Sequence, residues 1–177
     1  MNLHSLLSRH VDGLFGTAHD EARAYDEQGA VPLTGYLGSL IAYGAVAAAL
    51  AAAGRSNGRA LPEGYGLLDV TLGGVATFKF TRLLSKASVT SPLRASFTTF
   101  AEPAGSAELN EEARGGGARC TVGELLTCPF CLGQWVGTGY VAALTLAPRA
   151  ARTWAALFAV TAISDTLQHL DARVRTD

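Results

Sequence analysis

The sequence predicts an all-α polytopic membrane protein, with four transmembrane helices and an N-terminal amphipathic helix. Three observations carry this expectation. The chain of 177 residues is 49% hydrophobic and only 16% charged, against roughly 25% charged in ordinary soluble domains. The deficit is uneven: residues 33–53 carry no charge at all, and roughly 20 apolar residues in a helix suffice to cross hydrocarbon. Finally, a polar, Gly-rich segment gives way at Cys128-Pro129 to an apolar run that continues to Ala147.

Residues 1–31 form the amphipathic unit. Leu3, Leu6, Leu7, Val11, Leu14, Phe15 and Ala18 recur at spacings of three and four, with charged residues elsewhere. Gly29 and Pro32 end the pattern. The polar face is as acidic as it is basic, which favours packing on the protein's own helices over lying on a membrane surface. His4, His10 and His19 read as solvated rim residues.

Residues 32–171 form the expected four-span domain. The first span is apolar all round, with Gly44, Ala48 and Ala52 as a small-residue face for close helix contact. The second covers about 63–84, contains Asp69, and ends in Lys79 and Arg82, whose stems can reach an interface. A polar loop at 85–121 follows. Its first half is expected to be ordered and its second half, EPAGSAELNEEARGGGAR, to be a mobile linker. The third span starts at Pro129. The fourth covers 153–170 and holds Asp165, and a short polar tail occupies 172–177. With four spans, ten of the 14 Lys and Arg fall on the side of the termini and central loop. That bias predicts the cytoplasmic (inner) membrane, with both termini cytoplasmic.

Composition also excludes classes. A net charge of −1 gives no nucleic-acid surface. Three cysteines, two of them spaced C-x-x-C, do not make a secreted disulfide framework. No signal peptide is expected, because the N-terminus lacks a basic region, an apolar core and a cleavage site in series.

The stretch GELLTCPFCLGQWVGTGY, residues 123–140, holds the main candidate chemistry. Pro129 suits the first helical position, where its missing N–H costs nothing. Cys128 is then the N-cap and Cys131 lies in the first turn, where the helix dipole favours thiolate. Three readings stay open. The pair can be a redox dithiol of a membrane thiol–disulfide oxidoreductase, with Cys128 and Cys131 as catalytic candidates. Cys120, Cys128 and Cys131 can offer three thiolates to zinc or copper(I), although no fourth ligand stands nearby and His169 is distant in sequence. Or Cys128 simply caps the helix, which is the reading preferred. No strand precedes the motif, so a thioredoxin-like domain is excluded.

The intramembrane polar residues are Asp69, Lys79, Arg82 and Asp165. A carboxylate inside a span costs roughly 2.5–3.5 kcal/mol, so each should face the bundle and have a partner. Counting depth from the span ends sets Asp165 opposite Lys79, with Arg82 a little lower. Asp69 falls nearer Tyr140 and Thr138 than any basic residue, and is expected to be protonated or reached by water. These groups read as polar glue between helices or as a proton or ion path, with glue preferred. Gly133 and Gly137 make a GxxxG face for helix packing, and Trp135 an interfacial anchor.

Asp69, Lys79-Phe80-Thr81-Arg82, SKASVTSPLR and GELLTCPFCLGQW together resemble the bacterial membrane-protein family known as domain of unknown function 1360. The resemblance covers about 33–170 and leaves the N-terminal helix outside. It implies a small multi-span protein and conveys no activity. Relatives are linked to sporulation in some spore formers, a role that no residue here supports. The expected function is that of a small integral membrane protein, with catalysis disfavoured. It would act by helix–helix assembly, as a homo-oligomer or with a membrane-protein partner, or through the loop at 85–121.

Overall fold

The computed structural model describes residues 31–58, 64–105 and 107–176, with residues 21, 24–26 and 62. The amphipathic helix expected over 1–31 lies almost wholly outside these, as do His4, His10 and His19. The described chain forms α1 (Leu33–Ser56), α2 (Leu67–Ser85), a 3-10 turn (Ser88–Thr90) and α3 (Ser91–Arg94). Strands β1 (Thr98–Gly105) and β2 (Glu108–Ala113) follow, then α4 (Ala118–Thr127), α5 (Pro129–Leu146) and α6 (Pro148–Thr176).

Local chemistry explains the helix boundaries. The Ala- and Leu-rich α1 ends where the Asn57 side chain donates to the Ala53 carbonyl at 2.7 Å, satisfying an orphan acceptor of the last turn. Gly66 is extended and starts α2, and Pro129 opens α5. Helix α2 is the axis of the bundle and packs on both α5 and α6. The core is small: Ala76, Tyr140, Leu144, Ala151 and Ala155, with Trp154 and Phe158 against it. Phe80 reaches Phe158 and Trp154 edge-on, with centroids 4.9 and 5.5 Å apart, a favoured aromatic geometry. A Cβ on Gly73 would lie 2.1 Å from the Tyr140 ring, so only glycine lets α5 approach there. The Tyr140 hydroxyl donates to the Asp69 carbonyl at 2.9 Å.

Two expectations are corrected. Among the described residues only α1, 24 residues long, is long and apolar enough to cross a membrane, instead of four helices. Helix α2 is interrupted by Asp69, Lys79 and Arg82, and α5 places Gln134, two threonines and three glycines in 18 residues. Helix α6 is charged at both ends and runs through the expected polar tail to Thr176. The orientation drawn from four spans therefore loses its basis. Nor is the chain all-α: the segment expected to be a linker pairs as an antiparallel hairpin, Thr98 opposite Ala113 and Gly105 opposite Glu108. Its turn uses left-handed backbone at Gly105 and Ala107, the conformation that tight hairpin turns demand.

The hairpin is held by a buried ion pair. The side chains of Arg94 and Glu111 are 1% and 5% exposed. Arg94 Nε and Nη2 donate to the Glu111 carboxylate at 3.0 and 2.8 Å. Nη1 donates to the Leu84 carbonyl at 2.6 Å and Thr90 Oγ1 at 2.8 Å, and Nη2 to the Ala87 carbonyl at 3.2 Å. The five N–H donors of the guanidinium are thus all used. Thr98 Oγ1 adds a bond of 2.7 Å to Glu111. Arg82 pairs with Glu108, and the backbone bonds Ser88 N to Ala107 O and Leu109 N to Lys86 O tie the hairpin to the end of α2.

Burial pushes the Glu111 carboxyl up, but the hydrogen bonds from Arg94 and Thr98 and the Arg94 charge outweigh it and leave it below its ordinary range. A depressed folded-state value means stability that is present above the unfolded carboxylate pKa and lost as pH falls through the folded one. Arg94→Met leaves Glu111 buried without its cation and should lower stability by about 3–5 kcal/mol, read by thermal unfolding. The wild type should lose stability as pH drops below about 4.3; Glu111→Gln should be weaker throughout and flatter over that acid limb.

Candidate functional site

The candidate site is the groove where the first half of α1 meets α4 and the start of α5. Gly35 permits the approach, because a Cβ there would fall 2.0 Å from Thr121 Oγ1. The α4–α5 corner is made by Cys128 in extended backbone, with Pro129 starting α5. The groove encloses about 700 Å³, and Tyr36, Tyr43, Glu124, Cys128, Cys131 and Trp135 are among its walls. Tyr43 and Trp135 meet edge-to-face with centroids 5.4 Å apart. The Tyr43 hydroxyl accepts from Gln134 Nε2 at 3.1 Å and shares a bond of 2.7 Å with Thr138 Oγ1, which fixes that ring.

Cys128 Sγ accepts the Cys131 backbone N–H at 3.2 Å, the geometry of an N-cap. All three cysteines are free thiols. The Cys131 thiol, although the residue is exposed, is pushed up to about 11, first by partial desolvation at the groove edge and then by the hydrogen bond and charge of Cys128. The expectation of a dipole-activated thiolate therefore fails at Cys131: desolvation and the neighbouring sulfur outweigh the helix N-terminus. Cys120 does not join the pair. Its Sγ lies 4.0 Å from Glu124 Oε1, and no group of three His, Cys, Asp or Glu side chains converges to hold a metal among the described residues.

The charged residues of α2 all have partners. Lys79 pairs with Asp165, the partner given by depth counting, whereas Arg82 turns to Glu108. Asp69 pairs with Arg152, whose Nε and Nη2 each donate at 2.8 Å to its two oxygens. Those hydrogen bonds, with the Arg152 charge, hold the Asp69 carboxyl below its ordinary range despite desolvation. Asp69 is thus held in the carboxylate form by a cation, not protonated, and it stays partly exposed, which agrees with the expected reach of water. Arg152, one residue ahead of the expected fourth span at 153–170, lies in the first turns of α6, at the same end as Asp69 in α2. A Cβ at Gly133 or Gly137 would meet nothing within 4 Å, so the GxxxG face is not used for packing between described residues. The close approaches fall at Gly35, Gly73 and Gly123 instead, the last under the Phe97 carbonyl and Ala113. Sequence reasoning also assigned no role to Arg94 or Glu111.

Residues 72–170 match the family described as Protein of unknown function (DUF1360). The matched stretch includes the Lys79–Asp165 and Arg82–Glu108 pairs, the Arg94 network and all three cysteines, while α1 and Asp69 precede it. The chain is also similar to Sporulation protein YjcA of Bacillus subtilis (strain 168), 29% identical over 106 residues, which are 58% of this chain and 90% of that protein. No solved structure matches.

Two outcomes follow for the thiols. Cys128→Ser keeps a cap acceptor and should leave the unfolding temperature nearly unchanged, whereas Cys128→Ala should cost about 1 kcal/mol. Alkylation of Cys131 by iodoacetamide, followed peptide by peptide in a mass spectrometer, should still accelerate above pH 9. A rate that levels off near the ordinary thiol value of about 8.5 would contradict the raised value.

Proposed function

From a chain that belongs to the DUF1360 family, whose description assigns no activity, we propose a small integral membrane protein that works by assembly or partner binding, with α1 held in the cytoplasmic membrane. One observation carries this reading. Helix α1 is long and apolar, yet only 6% of its most apolar window is buried inside the protein. Leu37, Leu40 and Ile41 stand 55%, 66% and 64% exposed. Leaving such surface in water costs about 25 cal/mol per Å², and lipid removes that cost. Further exposed apolar side chains, Leu67 on α2, Phe130 on α5 and Ile163 on α6 among them, supply area for contact with a second copy or another membrane protein. The open Gly133–Gly137 groove suits close helix contact of the same kind.

The segment at 85–121 is the second partner surface. It is a hairpin on a rigid buried anchor, with Phe100 58% exposed on β1. A conducting role draws less support, since Asp69 and Asp165 are each committed to a cation. A redox role draws less support too, since desolvation and the neighbouring sulfur raise the Cys131 thiol instead of activating it. The sporulation role in the name of the Bacillus relative has no residue here that would carry it.

Membranes from expressing cells test the anchor. The chain should stay in the pellet through an alkaline carbonate wash and leave it only in detergent. Release by carbonate alone would overturn the reading. In detergent the particle should exceed the 18.4 kDa of one chain by a whole-number multiple or by a captured membrane protein.

A further inference from the structure

We propose that the groove between α1, α4 and α5 binds an organic cation with an apolar body, its charge held by Glu124 and its body by Tyr43 and Trp135. The first observation is an unsatisfied charge. Glu124 Oε2 is buried and has no hydrogen-bond partner of ordinary geometry among the described residues, the Tyr36 phenol being placed to offer the carboxylate only a weak one. Oε1 has only the Cys120 thiol, at 4.0 Å, a weak donor. None of the ion pairs formed by the described residues includes Glu124. A buried carboxylate oxygen left bare is costly, and a cation delivered into the groove would satisfy it.

The second observation is the wall. Tyr43 and Trp135 form a T-shaped corner whose orientation is set by Gln134 and Thr138. Aromatic rings and a carboxylate lining one groove are a combination that recognises ammonium and other organic cations. Among the described residues lining the groove, Glu124 is the only one of Asp, Glu, Lys, Arg and His. The volume of about 700 Å³ lies within the range of small-molecule sites. The cavity between α2, α6 and the hairpin, about 550 Å³, differs in this respect. It contains Lys79, Arg82, Glu108 and Asp165, whose charges already satisfy one another.

Two probes of the same shape and opposite charge test the assignment: tetraphenylphosphonium and tetraphenylborate. Each is titrated by calorimetry into the full-length protein in a neutral detergent. The phosphonium should bind saturably, one per chain, and quench tryptophan emission, while the borate should not bind saturably. Glu124→Gln should weaken the phosphonium about tenfold or more, the loss of one charge-assisted contact, and Glu124→Asp should retain part of the affinity. Trp135→Leu, which keeps the charge, should also weaken it. Equal binding of both ions, or unchanged affinity in Glu124→Gln, would overturn the proposal. If Glu124→Gln does not fold, the contrast between the two ions on the wild type and the loss in Trp135→Leu decide the matter in the same way.

Discussion

A guanidinium that is taken out of water must place every one of its five donors. Arg94 does so on Glu111, Thr90 and the carbonyls of Leu84 and Ala87. This single requirement orders the middle of the chain. It fixes the end of α2, the 3-10 turn and strand β2 in one arrangement, and no partial set of these partners satisfies the group. The rest follows in sequence. The hairpin positions Phe97 and Ala113, and α4 docks against them at Gly123, where no side chain fits. Helix α4 in turn carries Glu124 and delivers the chain to the Cys128 corner. The groove walls are thus set at a distance by a buried charge pair that touches none of them.

Helix α2 plays the corresponding part in the bundle. Its two ion pairs to α6, Asp69 with Arg152 and Lys79 with Asp165, stand at separate levels along the same pair of helices. The exposed members of such pairs add little stability. Their value here is register: a slide of α6 by one turn would break both at once. The contacts of Phe80 on α2 with Trp154 and Phe158 on α6 depend on that same register.

What could be read from the sequence was local. The start of α5 at Pro129 and the cap at Cys128 depend on a few adjacent residues, and the pairing of Lys79 with Asp165 on counting along two helices. The hairpin could not be read, because EPAGSAELNEEA is poor in the β-branched and aromatic residues that favour strands, and its pairing is imposed by Arg94 and Glu111, 17 positions apart. Four spans were expected because apolar content outweighed the charges that interrupt α2, each of which was expected to find a partner inside a membrane bundle. Asp69, Lys79 and Arg82 each have one inside the fold. The candidate groove was half legible: its cysteines stood out as a motif, whereas Tyr36, Tyr43 and Glu124 come from distant segments and had no common spacing to mark them.

The notch at Gly73 bears on which variants of this chain can exist. The Tyr140 ring fills the space a side chain would take, and its hydroxyl closes on the Asp69 carbonyl one turn away. Position 73 is therefore closed to drift in a way that its neighbour Gly74, with open space around it, is not. Two adjacent and chemically identical residues would show opposite tolerance in a saturation screen. Any lineage that lost the glycine at 73 would have to shrink the ring at 140 in the same step or give up the contact between the two helices.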